Sequence, residues 1–303
     1  MMIAGGIDLG GTKIEAQIFD ASWTIVHRHR ADTPKTYPEL IAALVGLISW
    51  IESVAGPIPI GIAAAGLIRP LTGEILTANL PANGKPLPDD INAASGRHIY
   101  YMNDCRAMAL SETVFGAARG FSPAVFLTIG TGIGGGITVN GNLLETAAGL
   151  GGEVGHFPLA AGPVAHHGLP IVNCGCGRVG CTETLLSGPG LARIVHHLTG
   201  QSLTAQQIVN LRKTQPDIAK CWDIWCELMA EMLMTLCLTI DPACIVLGGG
   251  LSAAPGLIDD VTAALQKTYW TGFSLPVIRL AEGGDTSGAR GAGYAAFAAG
   301  GRA

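Results

Sequence analysis

The sequence predicts an α/β protein of two similar domains flanking a cleft. Three observations carry that expectation. A pattern of strand, glycine turn, strand, turn and strand occurs twice, near residues 3–29 and 124–145. Each copy is followed by helices alternating with strands, as layered α/β domains require. The chain has 303 residues, 49% apolar and only 14% charged, enough apolar surface for two cores and far too much for disorder.

Taken in order, Ile3–Asp8 reads as an apolar strand and Gly10-Gly11 as a tight turn. Glu15–Phe19 resumes as a strand in which Ile14, Ala16 and Ile18 alternate with polar neighbours. Asp20-Ala21-Ser22 turns the chain into a third strand, Thr24–His29. Pro38–Val54 has apolar residues at helical spacing and stops at Gly56-Pro57. Ile58–Ala64 is a strand, a loop-rich stretch runs to Lys85, Asp89–Ser95 is a short helix, His98–Met102 a strand and Arg106–Ala118 a helix. The second copy starts with the strand Ala124–Ile129, the glycine turn 130–135, the strand Gly136–Val139, an Asn140-Gly141 hairpin turn and the strand Asn142–Glu145. Helices are expected at Gly188–Thr199, Ala205–Arg212 and Lys220–Ile240, then the strand Cys244–Leu247 running into Gly248-Gly249-Gly250. Helix Leu257–Thr268, strand Pro276–Leu280 and a small-residue helix, Gly288–Ala299, complete the chain.

Composition excludes several classes. The 43 glycines are about one residue in seven, twice the usual share, but have no three-residue period, so the chain is not collagenous. Net charge is 18 − 23 = −5 with no block of Lys or Arg, which argues against a nucleic-acid binder. No basic residue precedes Lys13, so a signal-peptide n-region is missing. The longest apolar stretch, Met229–Ile240, falls short of the ~20 residues of a membrane span. The expected location is the cytoplasm.

The glycine turns invite a ligand. Gly130-Thr-Gly132-Ile-Gly134-Gly135 fits G-x-G-x-x-G with Glu153 about twenty residues on, yet a dinucleotide fingerprint needs a helix next, and here a strand and hairpin follow. A Walker pattern is absent from the sequence. Glycine hairpins present backbone N–H groups with no Cβ in the way, a concavity suited to anions. Asp8 stands just before the first turn, and a carboxylate beside phosphates calls for a cation between them, which suggests Mg²⁺.

Cys105, Cys221, Cys226, Cys237 and Cys244 lie in apolar surroundings and read as reduced core thiols. Cys174, Cys176 and Cys181 are clustered and read as ligands of a structural zinc, which needs a fourth donor. His156 is preferred to His166 or His167 because it lies in the dense motif Gly151–His156. Four closed ligands leave no open position for a catalytic water. Asn103-Asp104 ends a strand and opens a helix, a place that suits an N-cap and equally a carboxylate pointing into a crevice to accept a proton.

Six motifs in this order are familiar. They are Asp8-Leu-Gly-Gly-Thr-Lys13, Asn103-Asp104, Thr128-Ile-Gly-Thr-Gly-Ile-Gly-Gly135, Gly152-Glu-Val-Gly-His156, Cys174-Gly-Cys-Gly-x-x-Gly-Cys181-x-Glu183 and Leu247-Gly-Gly-Gly-Leu251. Over essentially its whole length the chain resembles the ROK family of sugar kinases, in the actin/hexokinase/Hsp70 ATPase superfamily. Thr77–Leu87, Gly168-Leu-Pro170 and Leu186-Ser-Gly-Pro-Gly190 most resemble the branch that phosphorylates N-acetyl-D-glucosamine.

The resemblance implies two RNase H-like (actin/hexokinase-type) domains, with residues 1–117 plus 286–303 forming one lobe and 118–285 the other, which carries the zinc loop and the dimer helices. It implies transfer of a phosphoryl group from ATP with Mg²⁺ to the 6-hydroxyl of the sugar, Asp104 being the general base. Gly66, Asn79, Asn103, Asp104, Glu153, His156 and Glu183 would bind the sugar. Asp8, Gly10, Gly11, Thr12 and Lys13, with Gly130, Thr131, Gly132, Gly134 and Gly135, would hold the phosphates and Mg²⁺, and Gly248, Gly249 and Gly250 the nucleoside. His156, Cys174, Cys176 and Cys181 would bind zinc, and the chain would form a homodimer. Glucose, fructose or N-acetylmannosamine are the alternative substrates, and a sugar-binding regulator the alternative class. The regulators have a helix-turn-helix domain at the N-terminus, where this chain already places a strand. One departure stands out: the family often has Ala-Asn after Asn-Asp, and here it is Cys105-Arg106. Arg106 would weaken the base if it paired with Asp104, and it is expected to point elsewhere.

Overall fold

The structure is a computed structural model in which residues 1–300 are described; Gly301–Ala303, the end of the expected C-terminal segment, lie outside them. In chain order the elements are β1 (Met2–Leu9), β2 (Lys13–Asp20), β3 (Ile25–Asp32), α1 (Tyr37–Ala55), β4 (Ile60–Ala64), β5 (Leu67–Ile68), β6 (Ile75–Leu76), α2 (Leu87–Ser95), β7 (Tyr100–Asn103) and α3 (Asp104–Phe115). There follow β8 (Ala124–Ile129), β9 (Ile133–Val139), β10 (Asn142–Leu143), α4 (Ala161–His166), α5 (Glu183–Leu186), α6 (Gly188–Thr199), α7 (Ala205–Leu211), α8 (Pro216–Ile240), β11 (Cys244–Gly248), α9 (Leu257–Thr268), β12 (Val277–Leu280) and α10 (Ser287–Gly300). Two compact units emerge among the described residues: 1–116, 142–151 and 283–300, and 117–141 and 152–282.

The first unit's sheet has the order β3-β2-β1-β4-β7. β1 pairs antiparallel with β2 and parallel with β4, and β4 pairs parallel with β7. On one face Leu40, Leu44, Leu47, Ile48 and Ile51 of α1 pack with Ile7, Ile14, Ile18, Ile60 and Ile62. By length and apolar composition α1 could cross a membrane, but these residues are its core face. β3 runs three residues past the expected His29. Its basic alternation explains this: Arg28 and Arg30 both reach the buried Glu15 of β2, Arg28 Nε at 3.2 Å and Arg30 Nε at 2.8 Å. Charges on an exposed edge strand also discourage pairing with other chains.

The other face is covered by α10 and α3, and here the sequence has almost no side chains. A Cβ on Gly6 would overlap the Ala289 carbonyl, one on Gly61 the Ala292 carbonyl, and one on Gly291 the Ala107 carbonyl. The small-residue helix thus lies backbone against backbone on β1, β4 and α3.

In the second unit β9-β8-β11-β12 are neighbours in that order, antiparallel at β8–β9 and parallel at β8–β11 and β11–β12. These are the directions of β2-β1-β4-β7. Large side chains fill this core. Along α8, Trp222, Trp225, Met229 and Leu233 are buried, with the two indoles stacked at 5.0 Å. Trp225 Nε1 donates to the Leu186 carbonyl at 3.1 Å and Trp222 Nε1 to Asp260 at 2.9 Å, so neither polar tip is stranded. α8 starts at Pro216 rather than Lys220 because proline suits a first helical turn, where its missing N–H has no role. α3 starts two residues before the expected Arg106, since Asn103 caps it. β9 starts at Ile133, so the glycine turn is 130–132 and not 130–135.

Candidate active site and metal centre

In the first unit the β1–β2 connection holds Gly10 and Gly11 in a tight turn, Gly10 N–H donating to the Lys13 carbonyl at 3.0 Å. Thr33 ties the turn down, its hydroxyl donating to the Gly10 carbonyl at 2.7 Å. A Cβ on Gly11 would sit 3.0 Å from the Asn79 carbonyl oxygen, so the turn and Asn79 are in contact because Gly11 is bare. Asp8 lies one residue from the end of β1, and its carboxylate rests against Gly288 in the first turn of α10. Thr12 and Lys13 are exposed at the mouth of the turn.

Asn103 and Asp104 stand at the β7–α3 junction, and the two readings of this pair divide between them. Asn103 is the N-cap: its Oδ1 accepts from Arg106 N–H at 3.2 Å. Its Nδ2 donates to the Gly66 carbonyl at 3.1 Å. Gly66 has φ 119°, and a Cβ there would crowd the Leu76 carbonyl at 2.6 Å. Asp104 is the first helical residue, with Oδ1 accepting from Cys105 N–H at 2.8 Å. Burial pushes its carboxyl well above the ordinary value; hydrogen bonds from Cys105 and Asn103 pull it partly back. Arg106 turns away from Asp104. Its Nη2 donates to the carbonyls of Gly149 and Gly151, the latter at 3.1 Å, and so holds the 142–151 stretch of the same unit.

In the second unit Gly130 and Thr131 line a cavity of about 690 Å³ together with Gly250. Gly130 and Gly250 have open space where a Cβ would be. Sequence reasoning missed the rest of the wall, including Pro189, Ala192, Leu203, Gln206 and Val209. Its one signal was Leu186-Ser-Gly-Pro-Gly190, whose Gly188 N–H donates to the Gly130 carbonyl at 2.8 Å. Gly135, Gly248 and Gly249 are closely packed. Gly134 and Gly135 lie inside β9, and a Cβ on Gly135 would be 2.8 Å from the Gly152 carbonyl. A Cβ on Gly248 would press on the Phe126 ring at 2.9 Å, and Gly249, with φ 84°, lies against the Ile129 backbone.

The donor atoms of His156, Cys174, Cys176 and Cys181 all lie within 4.8 Å of one another. Cys176 and Cys181 sulfurs are 3.6 Å apart, as are Cys174 Sγ and His156 Nδ1. Tetrahedral zinc with ~2.3 Å bonds to sulfur sets ligand separations of about 3.8 Å, so the donor set fits a closed zinc site. Burial first, and then the Glu183 carboxylate beside it, hold the Cys174 thiol far above its ordinary value; a divalent cation would reverse that preference. Glu183 joins cluster and turn. Its Oε1 is 3.0 Å from Cys174 Sγ and 3.8 Å from His156 Nδ1, while its Oε2 accepts from Ile133 N–H at 3.3 Å. Glu153 precedes His156 at the start of the single turn Val154–His156.

The profile of the ROK family matches residues 4–298, and the chain belongs to that family. A crystal structure of a ROK hexokinase from Thermus thermophilus superposes over 100% of both chains with a TM-score of 0.88 at 31% identity, so the fold is the actin/hexokinase-like fold of ROK sugar kinases. Among curated relatives, an N-acetylgalactosamine kinase from Shewanella sp. (strain ANA-3) is 36% identical over 95% of this chain and 94% of its own. An N-acetyl-D-glucosamine kinase from Pectobacterium atrosepticum is 35% identical over 95% of this chain and 96% of its own.

Proposed function

We propose that the protein transfers the terminal phosphoryl group of ATP to the 6-hydroxyl of N-acetyl-D-glucosamine. The observation that carries this reading is Asp104: a carboxylate at the first position of a helix, with its proton affinity raised by burial and no cation paired to it through Arg106. A base poised in this way accepts the hydroxyl proton as the oxygen attacks phosphorus. Beyond its bonds to Gly66, Arg106 and Asp104, Asn103 keeps one lone pair on Oδ1, enough to accept from a sugar hydroxyl. Gly66 and Asn79 in the first unit, and Glu153, His156 and Glu183 in the second, complete the proposed sugar contacts.

Gly10–Lys13 with Gly130, Thr131, Gly132, Gly134 and Gly135 are proposed for the phosphates, Asp8 for Mg²⁺, and Gly248, Gly249 and Gly250 with the cavity beside them for the nucleoside. Bound magnesium–ATP supplies the phosphoryl group and the charge that neutralises it. The four-ligand centre is read as structural zinc, since no ligand position is left for water. The remainder of the reading is a cytoplasmic homodimer.

An ADP-release panel tests the substrate. N-acetyl-D-glucosamine is expected to give the highest kcat/KM among N-acetylgalactosamine, N-acetylmannosamine, glucose, mannose and fructose. The identity to the Shewanella relative favours N-acetylgalactosamine as the second reading, and a higher kcat/KM for that epimer would establish it. No ADP release with any sugar would overturn the kinase assignment.

A further inference from the structure

Glu112 is a fully buried carboxylate to which the phosphoryl-transfer reading gives no role. It lies in α3, two turns beyond Asp104. Its Oε1 accepts from Gly283 N–H at 2.7 Å and from the Ser287 hydroxyl at 2.9 Å. Both donors belong to the segment that opens α10. The next residue is Gly288, so close to Asp8 that a Cβ would lie 3.0 Å from its carboxylate carbon. Gly283 is equally confined, since a Cβ there would be 2.8 Å from Glu112 Oε1 and 2.7 Å from Arg290 Nη2. Arg290 adds a second grip one turn on, its Nε donating to Ser111 Oγ at 2.9 Å with the guanidinium 5.0 Å above the Phe115 ring. A buried carboxylate is unfavourable unless hydrogen-bonded, and a position needed only for packing would hold an apolar side chain.

We propose that Glu112 is a positioning residue: by holding Gly283 and Ser287 it fixes Gly288 against Asp8 and so sets the place of the carboxylate that faces the metal–nucleotide. The inference rests on the proposed role of Asp8. The test is steady-state kinetics with MgATP and sugar varied in turn, on full-length wild type, Glu112→Ala, Glu112→Gln, Ser287→Ala and Gly288→Ala. Displacing a reacting group by about an ångström lowers rates up to ~10²-fold, so Glu112→Ala and Gly288→Ala are expected to raise the KM for MgATP ~10-fold or more, with the sugar KM within ~2-fold. Ser287→Ala should shift the same ratio less. Glu112→Gln, which keeps the acceptor oxygen, should restore most of it. A lowered Tm in Glu112→Ala with the ratio of the two KM values unchanged would overturn the positioning role alone. Should Glu112→Ala fail to fold, Ser287→Ala and Gly288→Ala decide by that ratio. Wild type without ATP-dependent phosphorylation would overturn the kinase reading and this inference together.

Discussion

The two units share a strand order and differ in how they cover it. The first lays α10 on bare backbone at Gly6 and Gly61; the second builds its core with Trp222, Trp225, Met229 and Leu233 of α8. The difference teaches that the glycine excess has two physical uses. At Gly10, Gly130 and Gly250 the missing side chain leaves room beside a turn or cavity. At Gly6, Gly61, Gly135 and Gly291 the same absence lets two backbones touch.

The largest expected effect concerns what the bare seam positions. Asp104→Asn should lower kcat by ~10²–10⁴-fold with the fold intact. Its stability should move the other way, and the sign follows from linkage. The folded-state affinity of Asp104 for a proton is raised, so between the ordinary carboxylate value and that raised value the native state holds the proton and the unfolded state does not. Stability therefore falls as pH rises through that window, and above it the buried charge is a standing penalty that asparagine removes. Thermal unfolding at neutral pH should give a higher Tm for the variant; a lower one would mean that the carboxylate is compensated in place. In the active enzyme kcat/KM should decline as pH falls through the same raised value.

Next come the two covers themselves. Gly61→Ala should destabilise by more than ~3 kcal/mol, because one methyl meets a carbonyl that cannot move without α10. Trp225→Ala should be destabilised by ~3–5 kcal/mol through a cavity instead. Denaturant titration separates the two mechanisms, since a small apolar ligand can occupy a cavity but cannot relieve an overlap.

A smaller effect distinguishes the second unit by its metal. Elemental analysis should find about one zinc per chain, and Cys176→Ser or a chelator should remove it with a Tm loss of several degrees. Wild type purified without chelator and free of zinc would exclude the centre. The smallest effect belongs to Arg106→Ala, where loss of two carbonyl contacts on the 142–151 stretch should be worth ~1 kcal/mol. It should appear as faster local hydrogen exchange with little change in Tm.

Much of the fold was legible because its signals are local. Period-two alternation around Ile14–Ile18, a glycine turn and a capping Asn each act within a few residues, and the duplicated pattern marked two domains' worth of strands. Ligand arithmetic asked for a fourth donor beside the three thiols, and the dense motif Gly151–His156 singled out His156. What could not be read depends on partners far along the chain. Nothing near Gly135 announces that Gly152 will press on it. Ala192, Gln206 and Val209 reach the cavity only because α6 and α7 fold back beside Gly130. Glu112 looked like any helical acid, since its partners lie 171 and 175 residues later. The short helices α4 and α5 are too brief for periodicity to register.

The seam between α10 and the first sheet also bears on the order of synthesis. β1 leaves the ribosome long before the helix that covers Gly6 and Gly61. Until that helix follows, the sheet face has no cover. The second unit, residues 117–141 and 152–282, has all of its strands and helices before α10 exists. A nascent chain should therefore complete the second unit first, and termination before Ser287 would leave the first unit's sheet open.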